Sequence, residues 1–451
     1  MTTRLVSRDD AGMPGHSHHH GAAPPVRRRR EAAVEKRRRR RVIVALTAAL
    51  VPVVAALVLA GLALWPSSTT GGVDVPKGVF TAPGTTYVTA SVRSVQTFNC
   101  QGVGSTPSTK VRCAHVTVRI KTGPEKGTSR KVDVDPTVVK SGIESGDSLR
   151  LARFRSTAGA PVSFAFSDFS RSTPLIALAV AFAVLVVVVA RIRGLAALFG
   201  LALSFLVLLR FMIPALLSGE NPLAVGLVGS AAIMFVLLYL AHGVSIRTTT
   251  ALIGTLFGLG ASTLLAAWAV STAHLTGVAS EDDFTVAAVA GQVRLSGLLL
   301  CGIIVASLGI LNDVTVTQAS AVWELHALSP DTPPARLFSG AMRIGRDHIA
   351  STVYTIVFAY AGAALPILLL INLSGLPLGT IVTNEALAEE IVRTLVGSIG
   401  LVLSVPLTTV VGVALVRYAR GAVHQPSAAP PKWDPTWTTR PGTDGAADVA
   451  R

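Results

Sequence analysis

Apolar residues come in long unbroken runs, and between them the pattern changes kind. Eight runs are long enough, or nearly so, to cross a bilayer as helices: 43–65, 175–190, 195–213, 223–241, 251–270, 295–311, 349–371 and 391–416. A span needs roughly 20 apolar residues to match a hydrocarbon core about 30 Å thick. Residues 67–168 follow a different rule. YVTASVRSVQTF, VRCAHVTVRIKT and SRKVDVDP alternate apolar and polar positions with period two, as half-buried strands do. SGIESGDSLRLARF reads as a turn at Gly146–Asp147 followed by another strand. About five short strands with turn signals predict a small β-barrel, OB-like in character.

These patterns divide the chain into a polar tail at 1–41, an anchor at 42–66, a β domain at 67–170, a seven-span bundle at 171–420 and a polar tail at 421–451. The fold class is therefore an α-helical polytopic membrane protein with eight transmembrane helices and a β domain after the first. Composition agrees: 50% of residues are hydrophobic and only 14% charged, where soluble domains carry about 25% charged residues.

The net charge of +15 is uneven. Residues 1–41 hold 12 Lys/Arg against 4 Asp/Glu, which is +8 of that total. A basic flank before the first span orients a membrane protein and attracts anionic headgroups. The bilayer is thus the expected partner, and no nucleic-acid role follows. The tract at His16, His18, His19 and His20 reads as incidental to a polar tail, so no metal and no cofactor is expected.

Charge also sets the topology. Arg191, Arg193, Arg247, Arg336, Arg343, Arg346, Arg417 and Arg420 fall in or beside loops on one side. Glu220, Glu281, Asp282, Asp283, Glu385, Glu389 and Glu390 fall on the other. The positive-inside rule then places both termini in the cytoplasm of a multi-pass plasma-membrane protein. Arg210, near the outer end of the third run, snorkels to the interface. The β domain lies outside, where disulfides persist, so Cys100 and Cys113 are expected to pair. Cys301, inside an apolar run, reads as a small core residue.

The densest chemistry lies between Leu308 and His348. On a continuous helix Asp313, Thr317, Ser320 and Glu324 stand at i, i+4, i+7 and i+11 and share a face. Two acids and two hydroxyls in one stripe suit a cation or proton path lining a cytoplasm-facing cavity, with Gln318 beside it. Acids near membrane depth cost roughly 2.5–3.5 kcal/mol on insertion scales. On the next helix Arg343, Asp347, Ser351 and Tyr354 share a face, and Arg343 or Arg346 is expected to pair with Asp313 or Glu324. Gly254 and Gly258 form a GxxxG packing pattern, and Pro366 and Pro406 fall inside spans. No G-x-S-x-G, H-E-x-x-H or P-loop run is present, so no enzyme is expected.

The runs LGILNDVTVTQASAVWEL and FSGAMRIGRDHIASTVYTIVFAYAGAALPILLL resemble the YibE/F-like family of multi-span membrane proteins. The resemblance covers roughly residues 45–420 and implies the same order of one anchor, a β domain and seven spans. Asp313, Glu324, Gly345, Arg346, Asp347 and Gly362 match the family pattern. Asn312 departs from it, standing where an apolar residue is expected. What the resemblance implies about activity is at most a permease. The leading reading is a transporter for a small solute or ion, compatible with a homo-oligomer. The other is a non-transporting scaffold or sensor whose external β domain binds a partner.

Overall fold

The structure, a computed structural model, describes residues 44, 47–48, 50–66, 84–100, 111–155, 162–291, 293–375 and 377–420. The basic tail, its histidines and the C-terminal tail lie outside the described residues.

The alternating segments form one antiparallel sheet. β1 (Thr86–Cys100), β2 (Val111–Ile120), β3 (Ser129–Val134), β4 (Ser148–Phe154) and β5 (Ser163–Phe169) are ordered β3-β2-β1-β4-β5. The long β1 pairs with β4 through Thr86–Ser91 and with β2 from Ala90 onward, with a bulge between Val92 and Ser94. A bulge bends the strand and tightens its twist, so a single strand serves both halves of the sheet. Val116, Val118 and Ile120 point into a core with Val88, Leu149 and Leu151. Their neighbours Arg119 and His115 point out. Gly146 has φ +105°, a left-handed value that favours glycine, and the Asp147 carboxylate accepts from the Glu144 N–H at 2.8 Å. The expected closed barrel is a half-barrel instead. β3 and β5 approach each other without a ladder between them. Short α2 (Pro136–Lys140) packs Val138 and Val139 against this core. Cys100 and Cys113 form a disulfide, with Cα atoms 5.8 Å apart, that ties β1 to β2.

The rest is helical. The described part of the first apolar run is α1 (Leu50–Ala63). After the sheet come α3 (Ser172–Val207), a π-helical turn (Leu208–Met212) and α4 (Ile213–Leu217). Next are α5 (Pro222–His242), α6 (Ile246–Thr272), α7 (Glu281–Val289) and α8 (Leu295–Leu328). The chain ends with α9 (Pro334–Ala363), α10 (Leu365–Ser374), α11 (Leu378–Val382) and α12 (Glu385–Arg420). Local signals start several of them. Asn221 caps α5 by accepting from Leu223 and Ala224 N–H ahead of Pro222, and Ser245 caps α6 through Thr248 N–H.

Five helices among the described residues are long and apolar enough to cross a membrane, six if the bent pair α9–α10 counts as one. One of the five is the whole stretch Ser172–Leu217, 46 residues. As one straight helix at 1.5 Å per residue it would reach about 69 Å, more than twice the hydrocarbon thickness. Its backbone leaves helical geometry at Arg191, with φ 53° and ψ −131°, where the sequence predicted a very short loop between two spans. Arg210 sits exposed on the π turn. α9 and α10 meet at 63°, just before Pro366, whereas α12 runs unbroken through Pro406. Proline lacks an N–H and crowds the preceding turn, yet only the first of the two coincides with a break.

The bundle's centre is the triple contact of α6, α8 and α12. A Cβ on Gly254 would overlap Thr408, one on Gly258 would meet Leu311 and Ser404, and one on Gly400 would overlap Ser262. These glycines let backbones approach closely, as small residues do between membrane helices. Thr255 and Thr315 hydroxyls meet at 2.6 Å across the α6–α8 contact. Each hydroxyl also lies within reach of a carbonyl of its own helix, Ala251 or Leu311, so one can donate across the contact while the other donates along its own helix. Cys301 of α8 is buried against Gly226 of α5.

Candidate functional site

α8 passes through the middle of the bundle with two unlike faces. Its inner face buries Leu311, Val314, Thr315, Gln318, Ala319 and Val322. Its open flank carries Asp313, Thr317 and Glu324, all exposed, with Ser320 half-buried. The helical spacing thus brings the predicted stripe together on one face. That face is the outside of the bundle, not an internal seam.

Asp313 is the first acid of the stripe, and its side chain is 72% exposed. Its Oδ2 lies 3.6 Å from Nε2 of His348 on α9, whose side chain is 30% exposed. That separation is an ion-pair distance, longer than a direct hydrogen bond. His348 Nε2 and the neighbouring Asn312 Oδ1 are both shut off from solvent without a hydrogen-bond partner. Thr317 turns its hydroxyl back to the Asp313 carbonyl at 2.7 Å.

Further along, Glu324 faces Arg247, the second residue of α6, at 3.7 Å. Ser320 lines a small niche with Leu238, His242, Arg247 and Thr248. The expected partners of the two acids are therefore corrected. Arg343, Arg346 and Asp347 are exposed on α9, and among the described residues Arg343 and Arg346 pair with neither acid. His348 and Arg247 take those places. The reason is register: α8 and α9 meet through Gln318, Ala341 and Gly345, which turns Arg343 and Arg346 away from α8.

Gln318 is the polar residue that the stripe reading set aside. It is 2% exposed. Its Nε2 donates to the Ala341 carbonyl of α9 at 3.1 Å and to Thr409 Oγ1 of α12 at 2.7 Å. Thr409 in turn donates to the Val405 carbonyl. One amide thus ties three helices, and a buried amide left unpaired would cost about 1–3 kcal/mol. The signal for it was Gln318 itself, one residue off the exposed stripe and so on the opposite, buried side of the helix.

The acids expected on the outer side also differ from expectation. Glu385, Glu389 and Glu390 are not loop residues but the opening turns of α12. Among the described residues no group of His, Cys, Asp and Glu is arranged to hold a metal ion.

The sequence profile of the YibE/F-like protein family matches residues 178–418. The chain belongs to the YibE/F-like family. The match runs from within α3 almost to the end of α12 and takes in both the Asp313–His348 pair and the Gln318 contact. The β half-barrel and α1 precede the matched segment of this YibE/F-like protein. No curated protein and no solved structure matches the chain. Gly345, one of the residues of the family resemblance, has a structural reason. A Cβ there would come within 2.8 Å of both Gln318 Oε1 and Val405 Cγ1. Gly362 has open space around it, and nothing in the packing explains it.

Proposed function

We propose that this YibE/F-like membrane protein is a transporter or permease of the plasma membrane, moving a small ion or solute. The reading rests on one observation: a carboxylate and an imidazole, Asp313 and His348, face each other across two helices of an otherwise apolar bundle. The role assigned to the pair is to bind a cation or proton, with Thr317, Ser320 and Glu324 continuing the polar track toward Arg247. A carboxylate at this level facing lipid would be costly, so the open flank of α8 forms the wall of a water-filled cleft or of a contact with a second copy.

The topology that goes with this reading has eight crossings. They are the first apolar run, the two halves of Ser172–Leu217 on either side of Arg191, α5, α6, α8, the bent pair α9–α10, and α12. Arg247 and Glu324 then mark the cytoplasmic side, and Asp283 and Glu385 the outer side with the half-barrel. Purified protein in liposomes tests the function. Asp313→Asn should abolish coupled flux. Flux of every candidate ion unchanged in that variant would refute the role of Asp313.

The second reading is a non-transporting scaffold or sensor. It is favoured by the exposed stack of Phe98 on His115, ring centroids 4.2 Å apart, on the disulfide-tied arm of the half-barrel. Removing residues 67–168 separates the two: retained flux argues for the bundle as transporter, and lost partner capture without flux argues for the scaffold.

A further inference from the structure

Glu389 begins the second turn of α12 with 8% of its surface exposed. Its Oε1 is sealed from solvent and has no hydrogen-bond partner. The other acids around it are engaged. Glu385, one turn earlier, accepts from the backbone N–H groups of Thr276 at 2.6 Å and Gly277 at 3.0 Å, and from the Thr276 hydroxyl. Asp283 closes the capping box of α7 with Ser280. Glu390 is ion-paired with Arg393 through Oε1, while its Oε2 is also sealed without a hydrogen-bond partner. Along the same helix, Ala388 and Val392 pack toward Val270, Leu275, Leu299 and Ile303.

An ionised carboxylate placed there gives up much of its water, and its Oε1 gains no donor. Burial of that kind favours the neutral acid over the anion. The charged groups close enough to act on it are Glu385, Glu390 and Arg393 of α12 and Asp283 of α7. Three of those four repel a second negative charge, and Arg393 is committed to Glu390. The pull of a helix N-terminus on anions fades beyond the first turn, and Glu385 already occupies that position.

We infer that Glu389 is a proton-binding site at the outer end of the bundle, serving as the entry group for a proton coupled to transport. The coupling rests on the transport reading, while the proton site does not. The step is simple: a proton from the outer side binds the carboxylate to give the neutral acid, and its loss restores the anion. α8 joins this site to the pair described above. From Ile303, beside Glu389's neighbours, to Asp313 is ten residues, about 15 Å along the helix.

Infrared spectra of the reconstituted protein, recorded as pH is raised, test the site. Wild type should show a protonated-carboxyl band that disappears on deprotonation. Glu389→Gln should remove it and Glu385→Gln should leave it. Glu389→Asp, with the carboxyl kept on a shorter stem, should retain a band at a shifted frequency, which guards against loss of fold in the glutamine variant. A band that persists in Glu389→Gln, or vanishes in Glu385→Gln alone, overturns the assignment. Flux is read separately in vesicles under an imposed pH gradient. A Glu389 band with no flux under any gradient upholds the proton site and sinks the transport reading. Proton-driven flux without the band sinks the site and spares that reading.

Discussion

Gly345 lies flush against Gln318: the space where a Cβ would stand is within 2.8 Å of the amide oxygen. The glycine on α9 is what permits the buried amide on α8 to reach both the Ala341 carbonyl and Thr409.

Gly345→Ala should therefore destabilise the bundle even though alanine favours helices. Overpacking a tight site costs typically about 1–3 kcal/mol, more than the roughly 0.5–1 kcal/mol an alanine contributes inside a helix. Gly362→Ala, with open space around it, keeps only the gain. Thermal unfolding of the detergent-purified variants should show a lower midpoint for the first and an equal or higher one for the second. A midpoint for Gly345→Ala at or above wild type would contradict the close contact.

His348→Gln should mimic part of the Asp313→Asn effect. Glutamine can still donate a hydrogen bond toward Asp313, but it cannot carry the charge. Flux assays on His348→Gln, Arg343→Gln and Arg346→Gln in liposomes compare the observed partner with the two expected from sequence. Loss should be confined to His348→Gln. A larger loss in either arginine variant would mean that the pairing seen here is not the working one.

In the half-barrel, Glu125 and Arg153 form a two-pronged ion pair at 2.8 and 2.6 Å, with side chains 16% and 15% exposed. The Arg153 hydrogen bonds hold the Glu125 carboxyl below its ordinary value of 4.5. A carboxyl depressed on folding stabilises above its unfolded value, and that stabilisation is lost as pH falls through the folded one. Hydrogen exchange in residues 121–128 should therefore separate wild type from Glu125→Gln near neutral pH. The two should converge as the solution is acidified below the ordinary carboxylate range. A difference that persists unchanged in acid would exclude the carboxylate as its source.

Reducing the Cys100–Cys113 bond, or replacing both residues by serine, should loosen the β1–β2 arm. Chain-entropy arguments give roughly 3 kcal/mol for a closed loop of this length. Protease protection of the arm reports the change, and protection equal in reduced and oxidised protein would show that β pairing alone holds it.

Much of this architecture was legible because each pattern had a local cause. Strict alternation from Val111 to Ile120 marked a half-buried strand, and the long apolar runs marked the helices. The spacing of Asp313, Thr317 and Glu324 placed all three on one face, but periodicity does not say which neighbour that face meets. The partner of Asp313 depends on how α9 is rotated, and that is fixed by Gln318 and Gly345 meeting side by side. Glu385, Glu389 and Glu390 precede the apolar run over 391–416 and so read as the loop before it, yet acids also suit the opening turns of a helix. Period-two alternation marks the strands but does not report whether β3 and β5 pair to close the sheet.

The interlocked glycines and hydroxyls of α6, α8 and α12 leave these three helices with no slack between their backbones. Sliding one past another would carry Thr408 off Gly254 and Ser262 off Gly400, onto neighbours that have side chains. On the transport reading, a change of access spares this triad as a fixed mast, and the movement falls to the parts hung on it, around the breaks at Arg191 and before Pro366.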